Sequence, residues 1–380
     1  MRWKQHRENW QHDHENRFIL FLLLTGRKSR TTSDLPSDLV LRKAAQNIRR
    51  ITGAKQGSRM EIVRRLKLLC EEGVAFTIVK LDIKSFYSSI DQDALSQQIQ
   101  RRLVTAPSTR SVLTSFLTQC RRNAITGLPP GLAVSAELSE FYMQDFDRQM
   151  REASSAHYFA RYVDDIILVL PELDSTKKLK KQVECTLPKG LKLNESKTKI
   201  LQFGDALKNS PNLEHSFEYL GYKFSIFEPR KPKDRSPHDR KVEIDIATSK
   251  VKKNKTRICR SLLQYLADGN FYDLRDRVRI LTSGYQFFDE SQSKWRSAGL
   301  QHTYWLIDSE APALLELDKF MKRMVLSSSG AICGRLSLAL SSHERKELLK
   351  YSFVTGVAKK VHFRFSADRL AHLMECWKYA

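Results

Sequence analysis

"HYFARYVDDIILVL", residues 157–170, sets two adjacent carboxylates, Asp164 and Asp165, between two apolar runs. Runs rich in Ile, Val and aromatics read as strands, and Asp suits the tight turn that joins two of them. The stretch predicts a β-hairpin with acids at its tip. Alone, that is an ordinary charged turn, so its meaning depends on a further carboxylate in a comparable setting. "FTIVKLDIKSFYSSI", residues 76–90, supplies one: Asp82 ends an apolar strand. Three clustered acids repel one another unless cations lie among them. Two Mg²⁺ ions about 4 Å apart need such oxygens on rigid elements, one ion to activate a hydroxyl and the other to stabilise a leaving pyrophosphate.

The chain of 380 residues carries 65 Lys+Arg against 43 Asp+Glu, a formal net charge of +22. Such an excess points to a polyanionic partner, nucleic acid before an acidic membrane surface. No stretch approaches the roughly 18 consecutive apolar residues of a membrane span. "FILFLLL" at 18–24 is too short and reads as a buried helix face, with a signal peptide as the alternative. The six cysteines are scattered, without a CxxC pair, which fits buried thiols in a reducing cytoplasm. His12 and His14 lack partners at metal-ligand spacing.

Residues 1–75 are basic and helical in pattern, with Ile62, Val63, Leu66, Leu68 and Leu69 outlining an apolar stripe. Strands are expected at 76–83, 158–170 and 197–203, with helices between them at 92–104 and 132–152. This mixture predicts an α+β fold. The Pro- and charge-rich "EPRKPKDRSPHDRK" at 228–241 reads as a linker or exposed loop. Beyond it the pattern is helical: one helix begins at Pro312, Ser341 with Glu344 forms a capping box, and Leu370, Leu373, Met374 and Trp377 make a core stripe. No internal repeat is present.

Together these segments resemble bacterial reverse transcriptases. "VKLDIKSFYSSI" is similar to their first palm motif and "RYVDDIILV" to their Tyr-x-Asp-Asp motif. "GLPPGLAVSAELSEFYMQDFD" resembles the template and nucleotide motif, "LKLNESKTKILQF" the lysine-bearing motif, and "FEYLGYKF" the Leu-Gly primer grip. One Tyr-x-Asp-Asp is weak; the five motifs occur in the family's order across 76–224. The resemblance implies a right-hand polymerase: fingers within 1–75, palm at 76–228, a linker or exposed loop at 229–241, and an all-α thumb with C-terminal helical region at 242–380. It implies an RNA-directed DNA polymerase with an RNA template, a DNA product, deoxynucleoside triphosphates and two Mg²⁺ ions. Asp82, Asp164, Asp165 and the Ile83 carbonyl would be metal ligands. Tyr87 would be a steric gate against a ribose 2′-hydroxyl, its alternative being a core aromatic. Gly131, with the small Ala133 and Ser135, would admit template and nucleotide. Lys197 or Lys199 would meet the pyrophosphate, Arg59 the triphosphate, and Leu220 and Gly221 the primer end.

Two features depart from the family pattern. Pro130 stands where Gln is usual before Gly131, removing an amide side chain and a backbone donor. The fingers are short, and "SRMEIVRRLKLL" resembles defence-associated bacterial enzymes rather than carrying the usual Arg-Pro-Ile-type segment. The scattered cysteines do not supply the zinc-bearing endonuclease of group II intron proteins. A "VTG" as in retron enzymes occurs only at 354–356. What remains, a compact palm with a helical C-terminal region, best resembles the antiviral, abortive-infection class; the resemblance implies work in the cytoplasm, away from a membrane, with a structured non-coding RNA, a second reverse transcriptase or a homo-oligomer. Two rivals stay open: a template-independent or self-priming DNA polymerase, and a non-catalytic nucleic-acid-binding scaffold.

Overall fold

The computed structural model describes residues 35–54, 56–153, 156–171, 176–231, 239–289 and 294–378. The apolar run 18–24, His12 and His14 lie outside them. The chain forms two compact units, Met1–Leu66 with Val74–Asp205, and Lys67–Gly73 with Ala206–Ala380.

The first unit opens with α1 (Leu35–Thr52) and α2 (Arg59–Cys70), whose last turn falls in the second unit. Next come β1 (Phe76–Asp82), the single turn α3 (Phe86–Ser89), α4 (Gln92–Arg102), α5 (Pro107–Arg122) and α6 (Ala133–Ala153). The hairpin β2 (Tyr158–Tyr162) and β3 (Asp165–Leu170), α7 (Thr176–Thr186) and β4 (Lys199–Phe203) complete it. Its sheet is antiparallel, in the order β2-β3-β1-β4. Because side chains alternate across a strand, Val79, Leu81, Ile83, Ile166, Leu168 and Leu170 share one face. That face packs into the helical core, against residues such as Ile48 of α1 and Phe141 of α6. A one-residue slip would invert every one of these positions, so burial fixes the register. In the stripe expected on α2, Ile62, Val63 and Leu66 are buried. Leu68 is not: it is 50% exposed, because it lies off the 63–66–70 face.

In the second unit β5 (Leu213–Tyr219), β6 (Tyr222–Pro229) and β7 (Arg240–Ile246) form an antiparallel sheet in that order. The segment 229–241, read above as a linker or exposed loop, therefore joins two paired strands of one unit; residues 232–238 lie outside the described residues. Along the chain the two compact units divide at Leu66/Lys67, Gly73/Val74 and Asp205/Ala206. Helices α8 (Thr248–Asp268) and α9 (Phe271–Thr282) follow. After them come β8 (Gly284–Asp289), β9 (Lys294–Gly299), α10 (Leu300–Thr303), α11 (Pro312–Leu326), α12 (Ala331–Ala339), α13 (Ser342–Leu348), α14 (Phe353–Ala358), β10 (His362–Arg364) and α15 (Ala367–Met374). The capping box at Ser341 and Glu344 is present, and Leu370, Leu373 and Trp377 are buried. The region after 242 is mostly helical, but not all-α as expected. β8 and β9 pair as a hairpin, and β10 adds to β8 in parallel. Aromatic residues suit paired strands, and Tyr285, Phe287, Phe288 and Trp295 make these segments strand formers.

Candidate active site

Asp82 and Asp165 are direct cross-strand partners on the two central strands, β1 and β3. Both have the parity opposite to the core-facing residues, so both carboxylates stand on the other face of the sheet, which they share with the buried Ile78 and Ile167. Asp164 lies in the two-residue turn between Tyr162 and Asp165, which are themselves paired. The turn is stitched to β1 by the Ile83 amide, which donates to the Asp164 carbonyl at 3.0 Å. Strand parity and one hairpin thus gather all three acids, with Ile83 immediately beside them.

Their electrostatics follow from that crowding. Burial, and then repulsion from Asp82, push the Asp164 carboxyl above the ordinary range. Burial also raises Asp165, with Lys80 opposing and Asp164 and Asp82 adding to the rise. Asp82 is held by Lys197, whose ammonium lies 3.0 and 3.2 Å from its two oxygens. Asn194 donates a further bond from its side chain at 3.1 Å. The hydrogen bond from Lys197 to Asp82 and the nearby acids raise the Lys197 pKa, against the effect of burial. Lys199 pairs with Lys80 in the register of β1 and β4, so of the two candidate lysines it is Lys197 that reaches Asp82.

The three carboxylates and the Ile83 carbonyl offer oxygen atoms, the donor type a hard cation takes. Among the described residues no three His, Cys, Asp or Glu side chains converge closely enough to hold a metal by themselves. Mg²⁺ is typically bound by one or two carboxylates together with substrate phosphates, a set that needs no third protein ligand.

The turn itself is strained. Val163 has φ +59°, a left-handed conformation that a β-branched residue adopts at a cost. Arg161 braces it by donating to the Val163 carbonyl at 3.0 Å. The same guanidinium forms two bonds to Asp147, at 2.7 and 2.8 Å, and a 2.6 Å bond to Glu140. Its side chain is only 3% exposed. Arg161, Glu140 and Asn194 were not singled out in the sequence. An Arg inside an apolar strand, and an acid on the buried face of α6, are the signals that could have found them.

Tyr87 is partly buried against the core and packs edge-on to Phe86. Burial pushes its hydroxyl pKa up, and it shares a hydrogen bond with Ser139. Glu140, Asp164 and Arg161 all act on it electrostatically, so it belongs to the same neighbourhood. Its carbonyl accepts from Leu128 at 2.8 Å. The adjoining Gly127 cannot carry a side chain, since a Cβ there would come within 2.1 Å of that carbonyl. The loop continues through exposed Pro130 and Gly131 into α6, where Ala133 is exposed and Ser135 buried. Arg59 begins α2. Leu220 and Gly221 belong to the second unit. They form the two-residue turn of the β5–β6 hairpin, with φ +47° and +81°, as a primed turn requires.

Among the described residues no helix is long and apolar enough to cross a membrane. Residues 36–224 match the family described as "Reverse transcriptase (RNA-dependent DNA polymerase)". No curated protein matches the chain. Among solved structures, telomerase from Candida tropicalis with a fragment of telomeric RNA is similar at 16% identity and TM-score 0.36, over 90% of this chain and 53% of that one. Telomerase from Candida albicans with a fragment of telomeric RNA gives 13% identity and TM-score 0.34, over 91% and 57%. A truncated apo telomerase from Candida tropicalis gives 16% and 0.34, over 50% and 43%. The chain spans about half the length of the structures it matches.

Proposed function

We propose that this chain, which carries a reverse-transcriptase (RNA-dependent DNA polymerase) domain over residues 36–224, extends DNA on an RNA template from deoxynucleoside triphosphates. The observation that carries the reading is the cross-strand pairing of Asp82 with Asp165, with Asp164 in the adjoining turn. Asp82, Asp164, Asp165 and the Ile83 carbonyl would hold two Mg²⁺ ions. When bound, such ions supply an activated 3′-hydroxyl and charge neutralisation at the triphosphate.

The chain's own residues have distinct duties. Lys197 keeps its ammonium charged beside Asp82, ready to swing onto the pyrophosphate as substrate arrives. Tyr87 bounds the sugar pocket, and the loop through Gly131 leaves room for template and nucleotide. Arg161 is a positioning residue: it holds the turn that presents Asp164. Leu220 and Gly221 support the primer end. In this reading the first unit supplies fingers and palm, and the helices of the second unit supply the thumb. The resemblance of "SRMEIVRRLKLL" to defence-associated enzymes supports a role in bacterial antiviral defence, with a non-coding RNA as template.

The test is incorporation on poly(rA) primed with oligo(dT) in the presence of Mg²⁺. The reading expects dTTP to be incorporated and the other three deoxynucleotides to be ignored. Template-independent incorporation of all four would overturn RNA-directed synthesis. No incorporation of any would leave a binding scaffold.

A further inference from the structure

The second unit contains a cavity of about 300 Å³ that polymerase chemistry in the first unit does not use. One wall is cationic. Lys250, Lys253 and Arg257 line it from α8, where spacings of three and four residues put them on one helix face. The other wall is aromatic, formed by Tyr285, Tyr304 and Trp377.

Lysines and arginines grouped this way normally have acids among them. Here burial and the neighbouring cations Arg257 and Lys250 depress the Lys253 pKa, and burial depresses Arg257, with no carboxylate acting on either. Lys255 of the same helix, by contrast, is paired with Glu316. The Arg257 Nε is fully buried and has no hydrogen-bond acceptor, a costly state for a charged donor. Trp377 is locked in place, its indole N–H donating to the Arg257 carbonyl at 3.1 Å and the Ser261 hydroxyl at 3.0 Å. The Arg257 guanidinium lies over its ring, 5.6 Å from the centroid.

Each deficit has the same remedy. An anion with several acceptor oxygens would pair the three cations, and a flat ring would complete the aromatic wall. The volume is at the lower end of the roughly 300–1,000 Å³ usual for ligand pockets, suited to one nucleotide and not to a length of strand. We propose that this cavity binds a nucleotide, with its phosphate among Lys250, Lys253 and Arg257 and its base against Tyr285, Tyr304 and Trp377. The nucleotide is either free or the phosphorylated end of a nucleic-acid strand. The site stands apart from the polymerase reading and is measured without synthesis.

Calorimetric titration of the full chain in EDTA is the test, with AMP, adenosine and inorganic phosphate as probes. AMP is expected to bind at one site, with adenosine and inorganic phosphate each at least about tenfold weaker, as loss of charge-assisted bonds or of stacking implies. Lys253→Gln, at an exposed residue of the lining, and Arg257→Gln should each weaken AMP by about tenfold or more. Asp164→Asn should leave it unchanged. A 5′-phosphorylated tetranucleotide that displaces AMP better than its 5′-hydroxyl counterpart assigns the site to a strand end; failure of both to compete assigns it to free nucleotide. The proposal is overturned if AMP does not bind the native chain, if adenosine or phosphate equals AMP, if Lys253→Gln has no effect, or if Asp164→Asn abolishes binding.

Discussion

Asp165 shows in one residue how stability and chemistry oppose each other at this site. Its folded-state pKa lies above the ordinary carboxylate value, chiefly through burial. Folding therefore favours the protonated acid. That contribution is complete below the unfolded value of about 3.9 and is lost as pH rises through the folded value. At neutral pH the charged acid is a burden on the fold. Asp165→Asn in chelator at pH 7 should raise the melting temperature by about 2–4 °C, and the gain should vanish near pH 3. Scanning calorimetry at both pH values checks this; an unchanged or lowered melting temperature at pH 7 would refute it. Tyr87 is a second single-residue test. As a steric gate, its truncation in Tyr87→Val should shift the ribonucleotide-to-deoxynucleotide ratio by roughly two orders of magnitude. As a core aromatic it should instead cost about 3–5 kcal/mol of stability with the ratio unaltered. Both readouts come from the same purified variant.

At the scale of elements, the β2–β3 hairpin presents Asp164 through a strained turn that a buried arginine restrains. Arg161→Gln would leave Glu140 and Asp147 unpaired, and breaking a buried pair costs about 3–5 kcal/mol. Arg161→Lys keeps the charge but loses the forked geometry. That variant should lower kcat for nucleotide addition while leaving KM for the nucleotide close to native, since the turn moves and the sugar pocket does not. A rise in KM alone would remove Arg161 from a positioning role. The acids were legible in the sequence because each sits at the end of an apolar run, a local pattern. Arg161 and Asn194 were not, because their meaning depends on partners 21 and 112 residues away. Which of Lys197 and Lys199 stands beside Asp82 was likewise not legible, because it depends on the fold: Lys197 bonds Asp82, and Lys199 lies opposite Lys80. The β8–β9 hairpin escaped notice for a related reason: its short aromatic runs fit a helix or a strand equally, and pairing alone decides.

For the whole molecule, the excess of positive charge sets the terms of binding. A net charge of +22 favours a polyanionic partner, and each phosphate that it neutralised would release counterions. Affinity for an RNA–DNA hybrid should fall by orders of magnitude between about 50 and about 200 mM salt. Fluorescence anisotropy across that range measures it, and a flat dependence would give the charge another purpose. The central claim is that the carboxylates gathered by β1 and the hairpin carry out the synthesis. Primer extension on an RNA template, run side by side on the native chain, Asp82→Asn and Asp164→Asn, tests it most directly. Extension by the native chain is expected to disappear in both variants while both stay folded and keep their affinity for the hybrid. Extension well above background in either folded variant would contradict it.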